Sequence, residues 1–138
     1  MFAEFELITH GMAEKGEPLT VESLGKVYRD LNIKYWGTEL VFDEQVNLGW
    51  ARIPHFYRTF YVYQYATGYS AAIALTKRLQ SGDAQALEDY LGFLKAGSSD
   101  YSINILKKAG VDMSTATPVR EALKVFEGLV DKMEKRFM

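Results

Sequence analysis

The sequence contains no cysteine, which excludes disulfide stapling and thiolate chemistry. Proline is scarce, with three in 138 residues, so long helices meet few breakers. Histidine is scarcer still, and His10 and His55 are the only two. They are followed by Gly11 and Phe56. Neither therefore opens an H-E-x-x-H zinc helix, which needs two histidines four residues apart. A surplus of charge is missing too. Sixteen Lys and Arg against eighteen Asp and Glu leave a net charge of −2. Nucleic acids and anionic membranes recruit proteins through a basic surplus, so no nucleic-acid partner and no membrane partner are expected. The most apolar stretch, Phe60 to Leu75, is interrupted by Gln64, Thr67, Gly68 and Ser70, and is too short and polar to span a bilayer. The opening MFAEFELITH carries acids where a secretory leader has its basic region. With the lack of cysteine, this suits a cytoplasmic location.

What is present is an ordinary globular composition, 48% hydrophobic and 25% charged, at a length that suits one domain. The punctuation is that of an all-α fold. Phe2, Phe5, Ile8 and Met12 keep one face of a helix over 2–15, which GEP at 16–18 stops. That pattern starts at full strength without an N-cap, as expected either of a helix cut from a longer one or of a frayed natural terminus. Thr20 caps a second helix that Gly37 ends. Residues 38–54 are irregular, with room for a short strand or hairpin, and Pro54 pushes Ile53 towards an extended conformation.

A long helix is expected from His55 to Gln80. Asp83 then caps a helix over 84–96 with Leu87, Tyr90, Leu91 and Leu94 facing inward. A shorter helix runs to Ala109, and Gly110 takes the left-handed cap position. Thr117-Pro118 opens a last helix in which Val119, Leu123, Phe126, Val130, Met133 and Phe137 recur at alternating steps of four and three. The architecture expected is a helical bundle around the long central helix, as a single domain over 1–138. Its core would be Phe60, Ala66, Ala72, Ile73, Leu75 and Leu79.

Five of the nine tyrosines fall between Tyr57 and Tyr69. On a continuous helix Tyr57, Tyr61, Tyr65 and Tyr69 would share one face, Tyr63 would point elsewhere, and His55 would stand at the helix entrance. Such an array of phenols and an imidazole suits the stabilisation of an oxyanion. It equally suits core or interface tyrosines whose hydroxyls find backbone partners, with His55 as a plain terminal residue. His10 lies four residues from Glu6 and from Glu14, a ligand-like spacing for which a polar surface position is the plainer reading.

The runs IPHFYRTFYVYQYATGYSAA, FLKAGSSDYSINILKKAGVDM and TPVREALKVFEGLVDKMEKRF, with MFAEFE and GEPLTVESLGKVYRDL before them, decide between these readings. Together, in order and over essentially the whole chain, they resemble the C-terminal region of oligoendopeptidase F. That family sits among the thimet oligopeptidase-like zinc metallopeptidases, which are mostly helical and cut short peptides inside a deep cleft. In it the zinc ligands lie upstream of the segment that resembles MFAEFE. The resemblance therefore implies a portion of a catalytic domain with the zinc-binding part absent. Zinc would belong to the intact enzyme, with no cofactor in this chain, and the isolated chain would be inactive.

The portion in hand resembles the substrate-facing side. Tyr57 and His55 are its implied catalytic contacts, and Tyr61, Tyr63 and Gly68 its implied substrate contacts, with Gly68 allowing close helix approach or a kink. The implied partners are short peptides and the missing N-terminal portion of the peptidase. Helix faces stripped of that portion would drive self-association, with Phe2, Phe5 and the tyrosine face as the expected surfaces. The alternative is a non-catalytic peptide-binding or protein-interaction module.

Overall fold

The computed structural model describes residues 1–137, and every regular element among them is helical. In chain order these are α1 (Phe2–Glu14), α2 (Val21–Trp36), a 3-10 segment (Glu44–Arg52), a 3-10 turn (Pro54–Tyr57), α3 (Tyr63–Gln80), α4 (Ala84–Ala96), α5 (Ser102–Lys108) and α6 (Thr117–Phe137). The chain divides into two compact units, Met1–Gln64 and the residues from Tyr65 onward.

In the first unit, α1 ends as its sequence dictates. Gly16 takes a φ of 73°, its N–H donates to the Ala13 carbonyl, and the Glu17 N–H donates to that of Met12. This pair of bonds satisfies carbonyls that the helix end leaves open. α2 opens on a reciprocal cap. The Ser23 N–H donates to Thr20 Oγ1 at 3.2 Å, and the Thr20 N–H donates to Ser23 Oγ at 2.9 Å. Phe5, Tyr28 and Leu31 are buried between these helices, with Phe2, Trp50 and Phe56 packed around them. Ring centroids stand 5.5 Å apart for Phe5–Tyr28 and 4.8 Å for Phe5–Phe56. At the edge, Glu4 of α1 accepts from Lys34 Nζ at 2.5 Å and from the Tyr35 hydroxyl at 2.9 Å. The Lys34 bond first, and the Tyr35 bond second, hold the Glu4 carboxyl below its ordinary range.

Residues 38–54 contain no strand or hairpin. Asp43 instead caps the 3-10 segment, accepting from the Gln45 N–H at 2.9 Å. The segment lies close against α2, and a Cβ on Gly49 would come within 2.9 Å of the Tyr28 ring. Ile53 is extended ahead of Pro54, with φ −91° and ψ 100°, as the proline requires.

In the second unit, Ala71, Leu75, Ala109 and Val111 form the buried cluster, with Tyr90, Phe93, Leu106 and Met113 against it. α5 ends on a glycine-capped motif. Gly110 has a φ of 80°, its N–H donates to the Lys107 carbonyl, and the Val111 N–H donates to that of Leu106. Leu106 and Val111 meet in the core as this cap favours. Arg78 of α3 donates to the Ala109 carbonyl and pairs with Asp89 of α4 at 2.9 Å, so one guanidinium ties three helices of this unit. Asp83 caps α4 through the Gln85 N–H.

Three expectations of burial need correcting. Of the six expected core residues only Leu75 is buried, whereas Phe60, Ala66 and Ala72 are exposed. A helix that is apolar nearly all round carries no phase in its sequence, and the packed face of α3 proves to be the Ser70, Ala71, Leu75 side. On α4 Ala86 is buried and Tyr90, as expected, packs half-buried against the core together with Phe93, whereas Leu87, Leu91 and Leu94, expected inward, face outward. Phe5 is only 3% exposed and Phe2 packs beside it, which removes both from the expected self-association surface. The last helix includes Thr117, the expected cap, and so opens one residue earlier than expected. The first intrahelical bond runs from the Arg120 N–H to the Ala116 carbonyl.

Candidate substrate-binding site

The tyrosine segment departs most from a continuous helix. Phe56 through Val62 reads FYRTFYV, and aromatic and β-branched residues lose side-chain freedom in a helix. After the 3-10 turn the chain leaves helical geometry, and α3 begins only at Tyr63. Phe60 marks the bend with a φ of 50°, a left-handed conformation that costs a non-glycine residue of order 1–3 kcal/mol and tends to occur at functional sites. Its ring packs on His10, with centroids 4.3 Å apart.

The single tyrosine face is therefore not formed. Tyr57 belongs to the 3-10 turn and Tyr61 to the bend, while Tyr63, Tyr65 and Tyr69 lie on α3. The bend does bring His55 and Tyr61 together, with rings stacked at 5.7 Å and 22°. Arg58 adds a cation 5.8 Å from the Tyr61 ring. Sequence reasoning passed over this residue, although an arginine three positions from a tyrosine in an aromatic run is a signal for cation–π contact. The imidazole, the phenol and the guanidinium together make a patch of hydrogen-bond donors on the first unit.

Tyr57 is 73% exposed, and its hydroxyl donates to the Ala51 carbonyl at 3.0 Å. Its single proton is thus already used within the chain. Tyr63 is exposed at the start of α3. Gly68 lies further along α3, and a Cβ there would meet nothing within 4 Å. Among the described residues no close helix approach explains that glycine. His10 is less exposed than the plainer reading expected. It is half-buried, and its Nδ1 sits 2.8 Å from the Glu6 carbonyl oxygen.

The sequence model of peptidase family M3 matches residues 1–125. The chain belongs to peptidase family M3. It is 54% identical to Oligopeptidase PepF of Bacillus subtilis over its whole length, covering 21% of that protein. It is 42% identical to the chromosomal Oligoendopeptidase F of Lactococcus lactis subsp. cremoris, covering 97% of this chain and 22% of the relative. A crystal structure from Chlamydophila abortus, identified only as that of a candidate peptidase, matches with a TM-score of 0.84 and 44% identity, again over 97% of this chain and 22% of the other. The chain thus spans about a fifth of the length of the curated relatives it matches.

Peptidases of family M3 depend in general on zinc. No group of three or more His, Asp or Glu side chains that could hold a metal ion occurs among the described residues, and one ring nitrogen of His10 is taken up by the Glu6 carbonyl. No described helix is long and apolar enough to cross a membrane.

Proposed function

We propose that this chain is the substrate-binding portion of a cytoplasmic oligoendopeptidase, orienting short peptides for hydrolysis at a zinc centre built by other residues. The observation that carries the reading is the clustering of His55, Arg58 and Tyr61 at a bend strained at Phe60. Peptide hydrolysis builds negative charge on the scissile carbonyl oxygen. Donors fixed beside that oxygen before the charge develops lower the barrier more than mobile ones.

His55 and Tyr57 are assigned to the carbonyl, and Tyr61, Tyr63 and Gly68 to the rest of the peptide. In this assignment Tyr57 exchanges the Ala51 carbonyl for the substrate oxygen. Its exposed ring leaves room for the exchange. Residues 1–138 act as part of one catalytic domain, and alone they hydrolyse nothing.

The decisive measurement is made in the complete peptidase. Loss of one such donor costs about 2.7–4 kcal/mol of barrier, so Tyr57→Phe should lower kcat about a hundredfold or more. A kcat within about twofold of the parent would remove Tyr57 from the mechanism.

A further inference from the structure

The acids of this chain are unevenly placed. Of its eighteen Asp and Glu, none lies between Glu44 and Asp83. The Lys and Arg residues of that interval are Arg52, Arg58, Lys77 and Arg78. Two of these are matched by acids from outside it. Lys77 pairs with Glu121 at 2.7 Å and Arg78 with Asp89 at 2.9 Å. Among the described residues no ion pair holds Arg52 or Arg58.

Arg58 also has a defined seat. The Tyr61 N–H donates to the Arg58 carbonyl at 3.2 Å, which closes a turn around Thr59 and Phe60. Phe60 stands third in that turn, where one common class requires a positive φ, and its φ is 50°. The exposed Arg58 guanidinium lies over the Tyr61 ring, 5.8 Å from its centre, and the ring quadrupole attracts it there. A free arginine side chain loses much rotamer freedom when it captures a ligand. Arg58 has lost part of that freedom in advance.

Charge and shape give the ligand class. A guanidinium is a planar fork of N–H donors that fits a carboxylate through two parallel hydrogen bonds. No carboxylate of the surrounding stretch competes for this one. A short peptide carries a carboxylate at its C-terminus and on each Asp or Glu. We propose that Arg58 is a specificity residue that receives a carboxylate of the bound peptide, from its C-terminus or from an acidic side chain. The inference rests on the proposed peptide-binding role, but not on the assignment of Tyr57 or on where the cleaved bond lies.

The test uses the complete peptidase and pairs of peptides built on one sequence. One pair differs by a free or an amidated C-terminus, and the others by Glu or Gln at one internal position. For at least one pair the parent should favour the carboxylate form by about tenfold in kcat/KM, as one charge-assisted contact supplies. The pair that responds identifies the source of the carboxylate. The ratio should fall to about one in Arg58→Ala and in Arg58→Gln, which keeps the chain length and removes the charge. It should reverse in Arg58→Glu. Ratios near one for every pair in the parent would overturn the inference. So would a ratio that survives Arg58→Ala, since another cation would then hold the carboxylate.

Failure of the underlying reading looks different. Cleavage with no preference rejects the inference alone. A silent Tyr57→Phe beside a ratio lost in Arg58→Ala rejects the role of Tyr57 and keeps the carboxylate contact. If the complete protein cleaves none of the peptides, their Kd values are measured by calorimetry. A carboxylate form bound about tenfold tighter by the parent, and not by Arg58→Ala, keeps the inference and rejects hydrolysis. Equal Kd values within every pair overturn the inference, and binding of no peptide at all overturns both.

Discussion

Among the described residues Glu6 is the largest fully buried side chain, 2% exposed, and neither carboxylate oxygen has a hydrogen-bond partner among them. A buried acceptor left unpaired costs about 1–3 kcal/mol, and methionine has a similar length without the polar atoms. Glu6→Met should therefore stabilise this chain by about that amount, read as a higher denaturant midpoint at unchanged slope. A lower midpoint would mean that Glu6 has a partner in solution.

A second residue-scale effect concerns acid. Asn104 first, then Lys108 and the Tyr101 N–H, pull the Asp100 carboxyl from 3.8 to about 2. Because the folded value is depressed, the stabilisation is present above 3.8 and is lost as pH falls towards about 2. Asp100→Asn should show a smaller loss of stability across that window than the parent. An Asp100 carboxyl that titrates near its ordinary value by NMR would contradict the pairing.

At the scale of elements, caps decide where helices begin and end. Thr20 and Ser23 bond each other's backbone N–H at the start of α2. Thr20→Ala removes one of these bonds and should cost about 1 kcal/mol, measured by urea unfolding. A change below a few tenths would mean that packing of Tyr28 and Leu31 alone holds the helix. The 3-10 segment carries the same lesson. Its residues alternate enough to suit a strand, yet Asp43 supplies a helical cap and the close fit of Gly49 against Tyr28 supplies the packing.

At the scale of the whole chain, α6 presents an uncovered apolar stripe. Leu123, Phe126, Met133 and Phe137 are all more than half exposed, Phe126 at 66%. Apolar patches of this kind mark surfaces meant to be covered. The chain spans about a fifth of the length of its relatives, and on the proposed reading the rest of a peptidase would cover this stripe. Without that partner the isolated chain should self-associate through α6, and Leu123→Glu combined with Met133→Glu should return it to monomer in sedimentation. A parent chain that stays monomeric at high concentration would refute this.

The sequence alone determined where most helices lie. Glycine, aspartate and threonine act within a few residues, so α1, α2, α4, α5 and α6 were all legible from their caps and periods. It also determined the family, through long motifs kept in order. Tertiary structure alone decided which faces are buried. Ala71 and Ala72 are equally apolar, and only packing separates the buried one from the exposed one. It likewise decided the bend that stacks His55 on Tyr61. Helical spacing assumes a continuous helix, and the contact of Phe60 with His10, fifty positions away in sequence, is information that no local pattern holds.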